Sequence, residues 1–243
     1  MFDLIIKNGT VVDGTGSTRF KADVAVKGDS VVAIGEVIGD ATREIDASGK
    51  IVTPGFIDLH THSDNSFLID PYADSKLTQG VTLELMGNCG MSYCAPFNDN
   101  MLDEFRSRTD KFDPDYTPDW ADMDGYLTAL AKAGSTINVA AQIGHGSVRR
   151  FVMGMEARIP TPEEIDRMVG IFADSLDAGA LGMSTGLWYA PGSFSLADEV
   201  IALTQPAADR GKLYSSHIRS EADDLSGLFP AHAEAIEIGR RTG

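Results

Sequence analysis

After Pro54 the chain reads as short apolar runs, "GFIDLH", "GVTLELMGN", "INVAAQIGH", "GALGMSTG" and "KLYSSHI", separated by longer stretches with helical spacing. Strand and helix alternating in this way predict a parallel α/β sheet with helices packed on it. The clearest helix is "TPEEIDRMVGIFADSLDAGA". Thr161 is its N-cap, Pro162 its first position and Glu164 the far side of a capping box. Ile165, Met168, Val169, Phe172 and Leu176 make one apolar face, and Gly179 stops it. Before Pro54 the runs "LIIKNGTVVDG", "KADVAVKGDSVVAIGEV" and "EIDASGKIV" alternate apolar and polar positions between Gly, Asp and Ser turns. That pattern predicts a small antiparallel sheet in residues 1–53, set apart from an α/β region in 54–243. Residues 98–124, acidic, rich in Pro and aromatics and without clear periodicity, read as a long loop over one end of the sheet, able to form a lid.

Five strands are too few for a closed (β/α)₈ barrel, which takes roughly 250 residues. An open doubly wound sheet or an incomplete barrel remains. The polar residues at the strand ends bear on the choice. His60 and His62 follow the first run, Cys89 in "GNCG" the second, His145 in "GHG" the third, "STG" the fourth and His217 the fifth. Reactive groups gathered at the carboxyl ends of parallel strands are the pattern of a barrel active site. Alternate strand residues share a face, so His60 and His62 point one way, and imidazole with thiolate suits Zn²⁺. Plainer readings stand beside these. The two histidines could be polar rim residues, Cys89 a small buried hydrophobe, and His145 a loop residue bonding to backbone rather than a substrate-binding one. His232 reads as part of a solvated helix face, and Cys94 and Met91 as packing residues.

Composition narrows the partners. With 36 acidic against 20 basic side chains, a formal charge of -16 repels nucleic acid and anionic lipid, so neither is an expected partner. The first apolar run is broken by Lys7 and Asn8, too early for a signal peptide or a membrane span. Two cysteines fit a reducing compartment better than a disulfide framework, and the expected location is cytoplasmic.

"VTPGFIDLHTHSD" resembles the first barrel strand of the amidohydrolase superfamily. "GNCGMS", "GHGSVR", "GMSTGLWYAPG" and "SSHIRSE", in this order, resemble its N-acyl-D-amino-acid deacylases, the D-aminoacylases. The resemblance implies a (β/α)₈ TIM-barrel metallo-hydrolase with a small β-sandwich domain, of which residues 1–53 are the first part and 54–243 the first five barrel strands. It implies a tightly held zinc on Cys89 and His217 and a second, weaker metal site on His60 and His62. Tyr189, with His145, falls among the substrate-binding candidates. A histidine of the sixth strand and an aspartate of the eighth, the general acid and base, would lie beyond Gly243. The expected reaction is therefore zinc-dependent hydrolysis of N-acyl-D-amino acids by an enzyme of which this chain is about half, inactive until a further segment or second chain supplies the rest of the barrel. Two other readings are a cyclic amidase of the dihydroorotase or hydantoinase type and a non-catalytic metal- or ligand-binding fragment. The first would need a lysine ending the fourth strand, and no lysine occurs between Lys132 and Lys212.

Overall fold

The computed structural model describes residues 1–243 except Ala95, residues 110–115, Asp223 and Asp224. The chain divides into two compact units, Met1–Phe56 and Ile57–Gly243. In the first, β1 (Phe2–Val11), β2 (Phe20–Lys27) and β3 (Ser30–Gly35) pair antiparallel, while β4 (Ala41–Asp46) and β5 (Ile51–Val52) run parallel to β1. The alternation read from the sequence sets Val11, Ala22 and Val24 on one buried face, packed with Ile6 and Val52.

The second unit carries the five expected strands in the order β10-β9-β8-β7-β6: β6 (Phe56–Asp58), β7 (Val81–Met86), β8 (Asn138–Gly144), β9 (Gly182–Gly186) and β10 (Leu213–His217). The β7–β8, β8–β9 and β9–β10 ladders are parallel, so the carboxyl ends of these strands gather on one side. From β8 onward the connecting helices are α5 (His145–Met153) and α6 (Pro162–Asp177) before β9, α7 (Ala197–Asp209) before β10, and α8 (Leu225–Thr242) after it. Met86, Ile143 and Met183 from the strands and Met168, Phe172 and Leu203 from the helices form the fully buried centre. In α6 the capping box is present, with Thr161 Oγ1 accepting from the Glu164 backbone N–H and a Glu164 carboxylate oxygen accepting from the Thr161 N–H at 2.8 Å. The helix ends at a C-cap on Ala178, one residue before Gly179. No helix among the described residues is long and apolar enough to cross a membrane.

Two expectations fail here. Between the short helices α1 (Ser66–Ile69) and α2 (Asp74–Leu77) and the longer ones, residues 99–109 are not loop but helix α3 (Asp99–Thr109), followed by α4 (Met123–Ala133). The stripe of α3 is only Met101 and Phe105, one turn apart, too narrow to show as periodicity. Its ring packs edge-on against Tyr93 and Trp120, so the aromatics of this region belong to the core. Residues 110–115 of the expected lid lie outside the described residues. The run "GFIDLH" is also not buried: Phe56, Ile57 and Leu59 are 58%, 59% and 64% exposed. β6 ends the sheet order, and an edge strand has a neighbour on one side only.

Candidate metal centre at the strand ends

The segment after β7 bends sharply to carry Cys89 over the sheet. Gly87, Cys89 and Gly90 all have positive φ, at 75°, 55° and 71°. A Cβ at Gly87 would fall 2.0 Å from the Gln142 carbonyl oxygen, and one at Gly90 2.6 Å from the Gly186 nitrogen. Neither position admits a side chain. Cys89 does hold one in the left-handed region, a conformation non-glycine residues seldom adopt and which surrounding contacts must enforce.

The turn delivers Cys89 Sγ between two imidazoles. His60 Nε2 lies 3.1 Å from the sulfur and His217 Nδ1 3.5 Å. His60, His62 and Cys89 offer ligand atoms within 4.8 Å of one another, and the two histidine rings stand 5.6 Å apart, edge to face. Tetrahedral zinc, with Zn–S near 2.3 Å and Zn–N near 2.0–2.1 Å, holds its sulfur and nitrogen ligands about 3.5 Å apart. The Cys89–His217 separation matches that value, and the His60 separation falls a few tenths of an ångström short. Borderline-soft donors at this spacing fit zinc. Burial, and then the Glu221 carboxylate, push the Cys89 thiol up; a bound cation would reverse that balance and favour thiolate. Cys94, wholly buried, is pushed up by desolvation to about 12 and is inert by comparison.

Tyr189, in the loop after β9, stacks edge-on against His217 at 4.7 Å between centroids, its hydroxyl 3.4 Å from His217 Nδ1. His217 Nε2 faces Glu221 Oε1 at 3.3 Å. Asp58, two residues before His60, accepts from the His60 backbone N–H and is held low by its hydrogen bond from Lys76, which also pairs with the buried Glu84 at 2.9 Å. His145 is not brought to this cluster. It is fully buried as the first residue of α5, with Nε2 3.1 Å from Glu199 Oε1, the same oxygen that accepts from Arg149 Nε at 2.9 Å. His232 is exposed on α8. Met91, expected to pack, is 43% exposed; the turn at Gly90 carries it out of the core to the rim of a cavity.

Sequence reasoning missed the polar layer that holds these strand ends in register. Ser215 Oγ donates to Gln142 Oε1 at 3.1 Å, Gln142 Nε2 to Asn88 Oδ1 at 3.1 Å, and Asn88 Nδ2 to the Leu85 carbonyl at 2.9 Å. The chain of bonds ties β10, β8 and β7 together immediately beneath Cys89 and His217, and Ser184 Oγ of β9 accepts from the Gly90 N–H at 3.0 Å. A lone Gln inside "INVAAQIGH" was the available signal, since a buried amide requires partners.

The Amidohydrolase family profile matches residues 43–222, which contain every residue of the cluster. The chain belongs to the amidohydrolase family. Among related amidohydrolases, the N-acyl-D-glutamate deacylase of Alcaligenes xylosoxydans xylosoxydans is 41% identical over 99% of this chain and 48% of its own length. The D-aminoacylase of the same organism is 36% identical over 98% of this chain and 48% of its own. A crystal structure of N-acyl-D-glutamate deacylase from Bordetella bronchiseptica, complexed with zinc and a phosphonate inhibitor that mimics the tetrahedral intermediate, superposes with a TM-score of 0.87. Its sequence identity is 40%, over all of this chain and 50% of that one. This amidohydrolase chain thus spans about half the length of the curated relatives it matches, and its parallel sheet corresponds to a half-barrel.

Proposed function

We propose that this chain carries the zinc-binding half of an enzyme that hydrolyses the amide bond of N-acyl-D-amino acids to a carboxylate and a D-amino acid. The observation that carries this reading is Cys89 Sγ standing within 3.5 Å of both His60 Nε2 and His217 Nδ1. Relatives named for N-acyl-D-glutamate, N-acyl-D-aspartate and D-amino-acid deacylation support the substrate class. Cys89 and His217 would hold the tight zinc, with His60 and His62 on a neighbouring, weaker site. Bound zinc supplies Lewis acidity for the substrate carbonyl and a lowered pKa for water. The chain's own part is to fix the donors: the Ser215–Gln142–Asn88 bonds and the Gly87 turn set the sulfur, and the Tyr189 ring fixes the His217 imidazole while bordering the opening where a substrate would lie. The remaining zinc ligand and the general acid and base would come from a further segment or a second chain that completes the barrel, so the 243 residues alone are expected to turn over negligibly. A cyclic amidase reading is disfavoured because β9, the fourth barrel strand, is "GMSTG" and holds no lysine.

The test is zinc content and hydrolysis of N-acetyl-D-amino acids, measured on the chain alone and on the chain extended to the relatives' length. Zinc bound by both and hydrolysis only by the extended form is the expected result. Cys89→Ala should remove tight zinc and at least 100-fold of the extended form's activity, on the order of what an outer-shell ligand alone costs. Retention of both by that variant refutes the ligand assignment, and ring opening of dihydropyrimidines in place of amide hydrolysis refutes the substrate class.

A further inference from the structure

A cavity of about 360 Å³ opens directly from the metal cluster, bordered at that end by Cys89, Gly186 and Tyr189. The large side chains of its wall are mostly apolar, Met91, Met101, Met155 and Phe97, with the small hydroxyls of Ser92 and Ser147 between them. Among the described residues its only charged side chains are Arg150 and Glu104, and these form an ion pair with each other. An anionic group entering here would meet an arginine already neutralised by a carboxylate, so the cavity is matched to an uncharged, apolar group.

A substrate whose scissile amide sits at the cluster has two branches. One bears the α-carboxylate of the amino acid and needs a free cation. The other, the acyl group, needs none. Resting on the deacylase reading above, we infer that this cavity receives the acyl chain, and that the preferred acyl group is an aliphatic chain considerably longer than acetyl. At about 30 Å³ per water-sized group, the space takes on the order of ten such groups, whereas an acetyl methyl takes one. Three unbranched thioether side chains on the wall can repack around chains of different length, which a wall of branched residues could not do as freely. The volume also lies within the range of roughly 300–1,000 Å³ usual for small-molecule sites.

Calorimetric titration of the zinc-loaded 243-residue chain tests this without requiring turnover. One arm uses N-acetyl-, N-butyryl-, N-hexanoyl- and N-octanoyl-D-alanine. The other keeps the acetyl group and lengthens the side chain through D-norvaline and D-norleucine. The acyl arm should gain up to about fourfold in affinity per methylene and level off once the cavity is filled, with the side-chain arm nearly flat. Met155→Trp, at a position 53% exposed and so tolerant of a larger ring, should abolish the acyl gain while leaving zinc content unchanged. Met91→Trp, at a second lining position 43% exposed, should do the same. A flat acyl arm, a gain confined to the side-chain arm, or length dependence unaltered in both variants overturns the assignment. Length-dependent binding that persists where the extended enzyme fails to hydrolyse any N-acyl-D-amino acid would sustain the cavity and refute the proposed function.

Discussion

Cys89 combines two demands that usually conflict, a left-handed backbone and a side chain that must reach a specific point. Its neighbours resolve the conflict: Gly87 and Gly90 absorb the rest of the turn, where any Cβ would strike the backbone of β8 or of the segment ending β9. Gly87→Ala should therefore cost more than the usual penalty for positive φ, about 2 kcal/mol or more in denaturant unfolding. It should also weaken zinc binding, because the Gln142 carbonyl must move and Gln142 anchors Asn88. A variant of unchanged midpoint and zinc affinity would show that the turn is not constrained as described. The two glycines stand in plain view in "GNCG", but which backbone they approach does not, since Gln142 lies more than fifty residues away along the chain.

At the scale of elements, α6 is the part whose sequence and structure agree in most detail. Its cap, first proline and buried face all follow from local spacing. Thr161→Ala should lower stability by about 1 kcal/mol. The box also has a pH signature. Hydrogen bonds from Arg158 first, and then from the Thr161 backbone, hold Glu164 down at about 2. A carboxyl whose folded pKa is depressed contributes stability that is fully present above its ordinary pKa of about 4.3 and is lost as pH falls through about 2. Unfolding midpoints followed from pH 5 to pH 2 should fall less steeply for Glu164→Gln than for the unaltered chain, and equal slopes would remove this carboxylate from the acid transition. Salt should shrink the difference, because the pair is solvent-facing. Helix α3 is the counter-example. Two buried apolar residues among charged and polar ones carry too little local information to mark a helix, and what stabilises it is the cluster of rings formed with Tyr93, Phe97 and Trp120.

At the scale of the whole molecule, the parallel sheet of the described residues runs from β6 at one edge to β10 at the other, and at the β6 edge Phe56, Ile57 and the following Leu59 are largely exposed. An apolar edge of this kind invites pairing with another strand. The 243-residue chain should self-associate with rising concentration, and Ile57→Lys should suppress that without altering zinc content; sedimentation velocity at several loadings would measure it, and a monodisperse unaltered chain would contradict it. The five strands of the parallel sheet in their order, helix α6 and the chemical types at the strand ends were written in the sequence, because hydrophobic period and side-chain chemistry are local properties. The convergence of Cys89 with His217, 128 residues later, belongs to the tertiary structure alone. So do the Gln142 relay and the methionine-walled cavity. Distance between strand ends is set by strand order and by the backbone approach of adjacent turns, neither of which is encoded in the spacing of residues along the chain.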